Sequence, residues 1–112
     1  MEIKVTETAE EDLERFSSRV RDTFYSKVES IEKNLGIGAS PGQALDKYLS
    51  GNMNPVLQMN LGRDFRAWFL EGKYLDEKDN GKIYCLTVLT KKEAKKLTKK
   101  ISDPVSFLQS DL

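Results

Sequence analysis

The sequence predicts an α+β fold: an N-terminal strand and helical hairpin packed on an antiparallel sheet of about four strands, with a C-terminal basic helix. Three observations predict it. Leu13, Phe16, Val20, Phe24, Val28, Ile31 and Leu35 recur at spacings of three and four, the strongest helical period in the chain. Two bulky runs, Phe65 to Leu70 and Ile83 to Leu89, flank a polar turn, as paired buried strands do. The second run passes directly into Thr90-Lys91-Lys92-Glu93-Ala94-Lys95-Lys96-Leu97, apolar on one side and covered in ammonium groups on the other.

The elements follow in order. Residues 2–6 alternate, with Ile3 and Val5 on one side, and predict a first strand. Thr8-Ala9-Glu10-Glu11 has the form of a capping box, in which the threonine oxygen bonds the amide three residues on and Glu11 bonds back. The acids there suit the positive end of a helix dipole. The helical stretch reads as one long helix or as two broken at Ser17-Ser18, since serine caps a helix better than it extends one. Asn34, Gly36 and Gly38 end it. Ser40-Pro41 then opens a short helix through Ala44, Leu45, Tyr48 and Leu49, which Gly51 stops.

Leu57, Met59 and Leu61 alternate with Gln58 and Asn60, as in a half-buried strand. Gly62-Arg63-Asp64 turns into the Phe65 strand. Asp76 to Gly81 is a polar turn whose Asn80-Gly81 step favours an antiparallel return. Ile83 to Leu89 is apolar enough to be central. Thr90 to Glu93 is a second capping box. At about 100° per residue, the lysines at 91, 92, 95, 96, 99 and 100 cover roughly half the helix circumference. Ala94, Leu97 and Ile101 fill the other side, and Pro104 ends the helix. Residues 102–112 form a tail whose Val105, Phe107 and Leu108 need a surface to pack on.

Composition bounds the function. The 112 residues, 38% apolar and 32% charged, fit a single domain over 1–112 with one core and a charged surface. No apolar run approaches the roughly 18–20 residues of a spanning helix. Met1 to Val5 lacks the pattern of a secretory leader, and the lone Cys85 sits in an apolar strand as a small core residue, so a reducing cytoplasm is the expected location. The absence of histidine removes the usual general base and the commonest metal ligand. A single cysteine excludes the usual zinc clusters. The carboxylates of Asp76, Glu77 and Asp79 lack the spacing of a calcium loop. Net charge is zero but polarised: residues 91–100 hold six lysines against Glu93, whereas Glu7, Glu10, Glu11, Asp12 and Glu14 crowd the first helix.

The predicted order, with Ala44-Leu45-Asp46-Lys47-Tyr48-Leu49-Ser50-Gly51 before the strands and Gly62-Arg63-Asp64-Phe65-Arg66 opening the next one, resembles the RelE/ParE superfamily of toxin–antitoxin toxins. Leu86-Thr87-Val88-Leu89-Thr90-Lys91-Lys92 is similar to the HigB-type branch, whose last strand ends in a lysine pair. The resemblance covers roughly residues 2 to 100 and rests more on element order than on any one residue. It implies a metal-independent, ribosome-associated mRNA endonuclease (an mRNA interferase that inhibits translation), needing no cofactor and neutralised by a cognate antitoxin protein. The partners implied are the antitoxin, the ribosome and mRNA, with no membrane. Carried over by position, Arg66, Lys91 and Lys92 are the expected catalytic residues. An arginine fork suits a phosphate, and lysines supply charge where negative charge builds.

Arg63, Lys95, Lys96 and Lys99 are expected RNA-binding residues, set against the plainer reading of a solvated helix face. Trp68, Tyr74 and Tyr84 are candidates for base stacking or for core packing. Where many relatives carry basic residues, this chain has Gln58 and Asn60. That pattern fits the alternative of a catalytically inactive RelE-fold binding or regulatory protein. A ParE-like inhibitor of DNA gyrase is the other alternative.

Overall fold

The computed structural model describes residues 1–76, 78 and 81–109, and builds a five-stranded mixed sheet between two groups of helices. The elements are β1 (Glu2–Val5), α1 (Glu7–Glu14), α2 (Ser18–Gly36), α3 (Pro41–Ala44), β2 (Lys47–Tyr48), β3 (Leu57–Leu61), β4 (Phe65–Glu71), β5 (Lys82–Thr90), α4 (Lys91–Lys100) and α5 (Pro104–Gln109). Sheet order is β1-β5-β4-β3-β2, so β4 is central and β5 is interior.

The sheet differs from the expected antiparallel one of about four strands. β1 pairs parallel with β5, Ile3 opposite Ile83 and Val5 opposite Cys85, while the other pairs are antiparallel. β1 leads into helices rather than a hairpin, and only a crossover connection permits parallel pairing. The extra strand, β2, lies where the short helix was expected to continue. α3 stops at Ala44, the buried Leu45 turns extended, and Lys47 and Tyr48 pair with Gln58 and Leu57. Tyr48 donates to the buried Glu71 carboxylate at 3.0 Å, a tertiary bond that outweighs local helical preference. The turn expected at Asp76 to Gly81 lies partly outside the described residues, but β4 and β5 do pair antiparallel.

Sheet residues alternate between two cores. Ile3, Leu57, Met59, Leu61, Ala67, Phe69, Ile83 and Cys85 meet Leu13 of α1 and Phe24, Val28, Ile31 and Leu35 of α2. Trp68, Leu70, Leu86 and Leu89 meet Ala94 of α4, with Ile101 and Leu108. A bulge makes this possible: Trp68 pairs with Thr87 but Phe69 with Cys85, leaving Leu86 as an extra residue in β5. The parity flips there, so Val88 joins the hairpin side and Leu89 the α4 side.

The helix signals shift slightly. α1 is capped by Thr6, not Thr8. The Thr6 amide is fixed by the Cys85 carbonyl at 3.1 Å, which leaves its hydroxyl to accept from the Ala9 amide at 3.2 Å. The helical stretch does divide at Ser17, the N-cap of α2. Beyond β1, the edge of β5 is covered by α1, where Asp12 accepts from the Thr87 hydroxyl at 2.7 Å and the Val88 amide at 3.0 Å. Pro104 opens α5 rather than ending α4, whose C-cap is Ile101. The tail packs on its own sheet through Leu108 and Val105, while Phe107 is 47% exposed. Among the described residues no helix is long and apolar enough to cross a membrane.

Candidate anion-binding cleft

The sheet register assembles the site. Asn60 of β3 pairs with Arg66 of β4, which pairs with Leu89 of β5; one row away, Lys47 pairs with Gln58 and Gln58 with Trp68. Residues directly opposite share a face. Leu89 and Trp68 belong to the core under α4, so Lys47, Gln58, Asn60 and Arg66 all lie on the α4 side.

α4 supplies the facing wall. The Thr90–Glu93 capping box is formed: Thr90 Oγ1 accepts from the Glu93 amide at 3.1 Å and Glu93 Oε1 accepts from the Thr90 amide at 3.0 Å. The Thr90 backbone amide holds the Glu93 carboxyl below its ordinary range, with Arg15 adding to the effect from 3.7 Å. The Lys91 amide donates to the Asp64 carbonyl at 2.7 Å, which joins the first turn of α4 to the β3–β4 turn. Gly62 makes that turn possible with φ +67°, a region that costs other residues about 1–2 kcal/mol.

The result is a cleft of about 300 Å³. Its floor is Leu49, Gln58, Asn60 and Arg66, its rim Lys47, and its wall Lys91, Ala94, Lys95 and Thr98. Lys91 and Lys95 also line an adjoining depression of about 350 Å³ with Asp64, Thr90 and Lys92. Among the described residues none of Lys47, Arg66, Lys91, Lys92 and Lys95 is ion-paired. Arg66 is held in place by its own turn, with Nη1 donating to the carbonyls of Phe65 at 2.7 Å and of Gly62 and Arg63 at 3.3 Å. Its other nitrogens have no partner among the described residues. Among the described residues the cleft gathers one guanidinium and three ammonium groups against a polar amide floor, without a carboxylate or imidazole in its lining. Such a lining attracts phosphate and stabilises developing negative charge.

The expected residues divide by place. Arg66, Lys91 and Lys95 meet in the cleft, and Lys92 sits in the adjoining depression. Arg63 points elsewhere, into a separate depression of about 470 Å³ between α2 and the β3–β4 turn, beside Arg19 and Thr23. Lys96 and Lys99 are exposed and line neither the cleft nor these depressions. α4 and α5 cover this sheet face, and the cations stand at its margin. Trp68 is fully buried and Tyr84 packs into the α4-side core, so neither offers a free ring face there; Tyr74 is 40% exposed under the Lys73 ammonium. Cys85 is fully buried, which pushes its thiol far above its usual range. Lys47 escaped the sequence reading because its place depends on β2 pairing with β3, which no local pattern reports.

No protein-family model, curated protein or solved structure matches the chain. Among the described residues no three histidine, cysteine or carboxylate side chains come together as metal ligands.

Proposed function

We propose that this chain is an RNA-binding protein of the RelE/ParE type, which holds single-stranded messenger RNA in the cleft between β3, β4 and α4 and so blocks translation. One observation carries the reading: Lys47, Arg66, Lys91 and Lys95 converge on one cleft with no carboxylate among the described residues of its lining. Element order supports it, with a strand, two helices, antiparallel strands and a basic helix in sequence. In this reading a small cognate antitoxin silences the protein by covering the cleft.

A second reading adds cleavage. The pairing of Arg66 with Lys91 favours it, because a fixed guanidinium and an ammonium can stabilise charge on a phosphate attacked by a neighbouring ribose 2′-hydroxyl. Charge stabilisation is what the described residues of the lining offer, and binding therefore stands first.

The test is fluorescence anisotropy with a labelled single-stranded RNA, using the natural chain, Arg66→Glu and the double variant Lys91→Glu/Lys95→Glu. Tight binding by the natural chain and loss in both variants is expected. Absent binding, or binding indifferent to these reversals, would overturn the proposal. Shorter RNA products would establish the cleavage reading. Growth of cells with and without expression of the chain tests toxicity, and a supercoiling assay with DNA gyrase should stay unaffected.

A further inference from the structure

The cleft floor has a chemical direction, and the core sets it. Trp68 is fully buried, and its indole nitrogen is a donor with no acceptor capacity. That nitrogen donates to Gln58 Oε1 at 3.1 Å. Gln58 is itself buried, so its carbonyl must face inward and its Nε2 outward, where it donates to Asn60 Oδ1 at 3.4 Å. The carbonyl of Asn60 is thereby turned toward Gln58, which takes one of its two lone pairs. The Asn60 Nδ2 group, a donor only, has no partner among the described residues and is what Asn60 presents to the cleft. Lys47, Arg66, Lys91 and Lys95 are also donors only. Among the described residues Thr98 is the one hydroxyl of the lining, and it donates its proton to the Ala94 carbonyl at 2.7 Å.

We infer that the cleft prefers guanine to adenine in the bound strand, with Asn60 as the specificity-determining residue. The inference rests on the RNA-binding reading above. Guanine presents two adjacent acceptors, O6 and N7, with no donor between them. Adenine presents N7 beside the N6 amino donor, and cytosine presents the N4 donor. Asparagine ordinarily pairs with adenine through both its carbonyl and its amide. Here the carbonyl is turned to Gln58, so an adenine amino group meets a donor instead of an acceptor. Trp68, which never touches the strand, acts as a positioning residue by fixing the polarity of the amide pair.

The inference can be separated from general affinity. The probes are short single-stranded RNAs identical except for one central guanosine, inosine or adenosine. Inosine keeps O6 and N7 and lacks the guanine amino group, so it isolates the edge in question. Guanosine and inosine should bind alike, and both at least about fivefold more tightly than adenosine. Gln58→Glu keeps an acceptor for the indole but offers Asn60 a second one, so Asn60 reverses and turns its carbonyl to the cleft. Asn60→Asp places an acceptor there directly. Both substitutions weaken binding overall through added negative charge, yet both should reverse the ratio toward adenosine. The Trp68 fluorescence maximum confirms that each variant is folded, and Asn60→Asp serves if the buried substitution fails.

Equal binding of the three RNAs by the natural chain overturns the base-selection inference and leaves RNA binding standing, as if the amide met phosphate instead. A guanosine preference that survives unchanged in folded Asn60→Asp overturns it too. No binding of any RNA by the natural chain overturns both readings together.

Discussion

Replacing Lys91 and Lys95 together by glutamine removes two of the four cations that line the cleft, Lys47 and Arg66 being the others. Both lysines are exposed and neither is ion-paired among the described residues, so the fold should tolerate the change. For a single strand, the logarithm of affinity falls against the logarithm of salt concentration by about 0.7 per neutralised phosphate. If each cation neutralises one phosphate, the natural protein has a slope of about −2.8 and the double variant about −1.4. Raising salt from about 50 to about 200 mM then weakens the natural protein about 50-fold and the variant only about sevenfold. The assay is anisotropy of a labelled single-stranded RNA titrated at several potassium chloride concentrations. A natural-protein slope shallower than about −1, or an identical slope in the variant, refutes the idea that these four groups act together on phosphate.

Three further outcomes test the frame that holds the cleft. Asp12→Ala deletes the carboxylate that accepts from Thr87 and Val88, and two charge-assisted bonds at a partly buried site should lower stability by about 2–4 kcal/mol in urea unfolding. Glu93 has its carboxyl lowered from 4.5, so its contribution is present above that value and fades as pH falls through the lower folded one; Glu93→Gln should flatten this acid limb in a pH series of melting temperatures. Tyr48 is pushed up from 10.0 to about 12, first by burial and then by its bond to Glu71. The neutral phenol is the folded form, so its contribution is full below pH 10 and lost toward about 12; Tyr48→Phe should remove that alkaline loss, read by circular dichroism.

The parts of this molecule legible in its sequence are those built by neighbours along the chain. The Thr90–Glu93 capping box needs four consecutive residues, and it forms as the pattern states. The α2 period works because Phe24, Val28, Ile31 and Leu35 fall on one stripe whatever they pack against. Misread features depend on distant partners. Thr6 caps α1 because β5 fixes the end of β1, so a nearby threonine with a better local pattern loses. Lys47 enters the cleft because Tyr48 is anchored to Glu71 and β2 takes the β3 edge. The bulge at Leu86 reverses inside and outside along β5, and nothing in an apolar run reveals which residue is extra. Arg66 and Lys91 were legible as cations, but their meeting depends on the Lys91–Asp64 backbone bond across the turn.

At the outer border of the sheet, β2 is too short to cover all of β3. At Asn60, past the last β2 pair, the backbone amide is taken by the Asp46 carboxylate and the carbonyl by the Lys27 ammonium at 2.6 Å. A second molecule arriving side by side finds no vacant ladder rung at that position, and must first break two charged contacts. At that position the border resists strand-by-strand stacking of copies, and a protein carrying so many bulky sheet residues is guarded there against growing into fibrils.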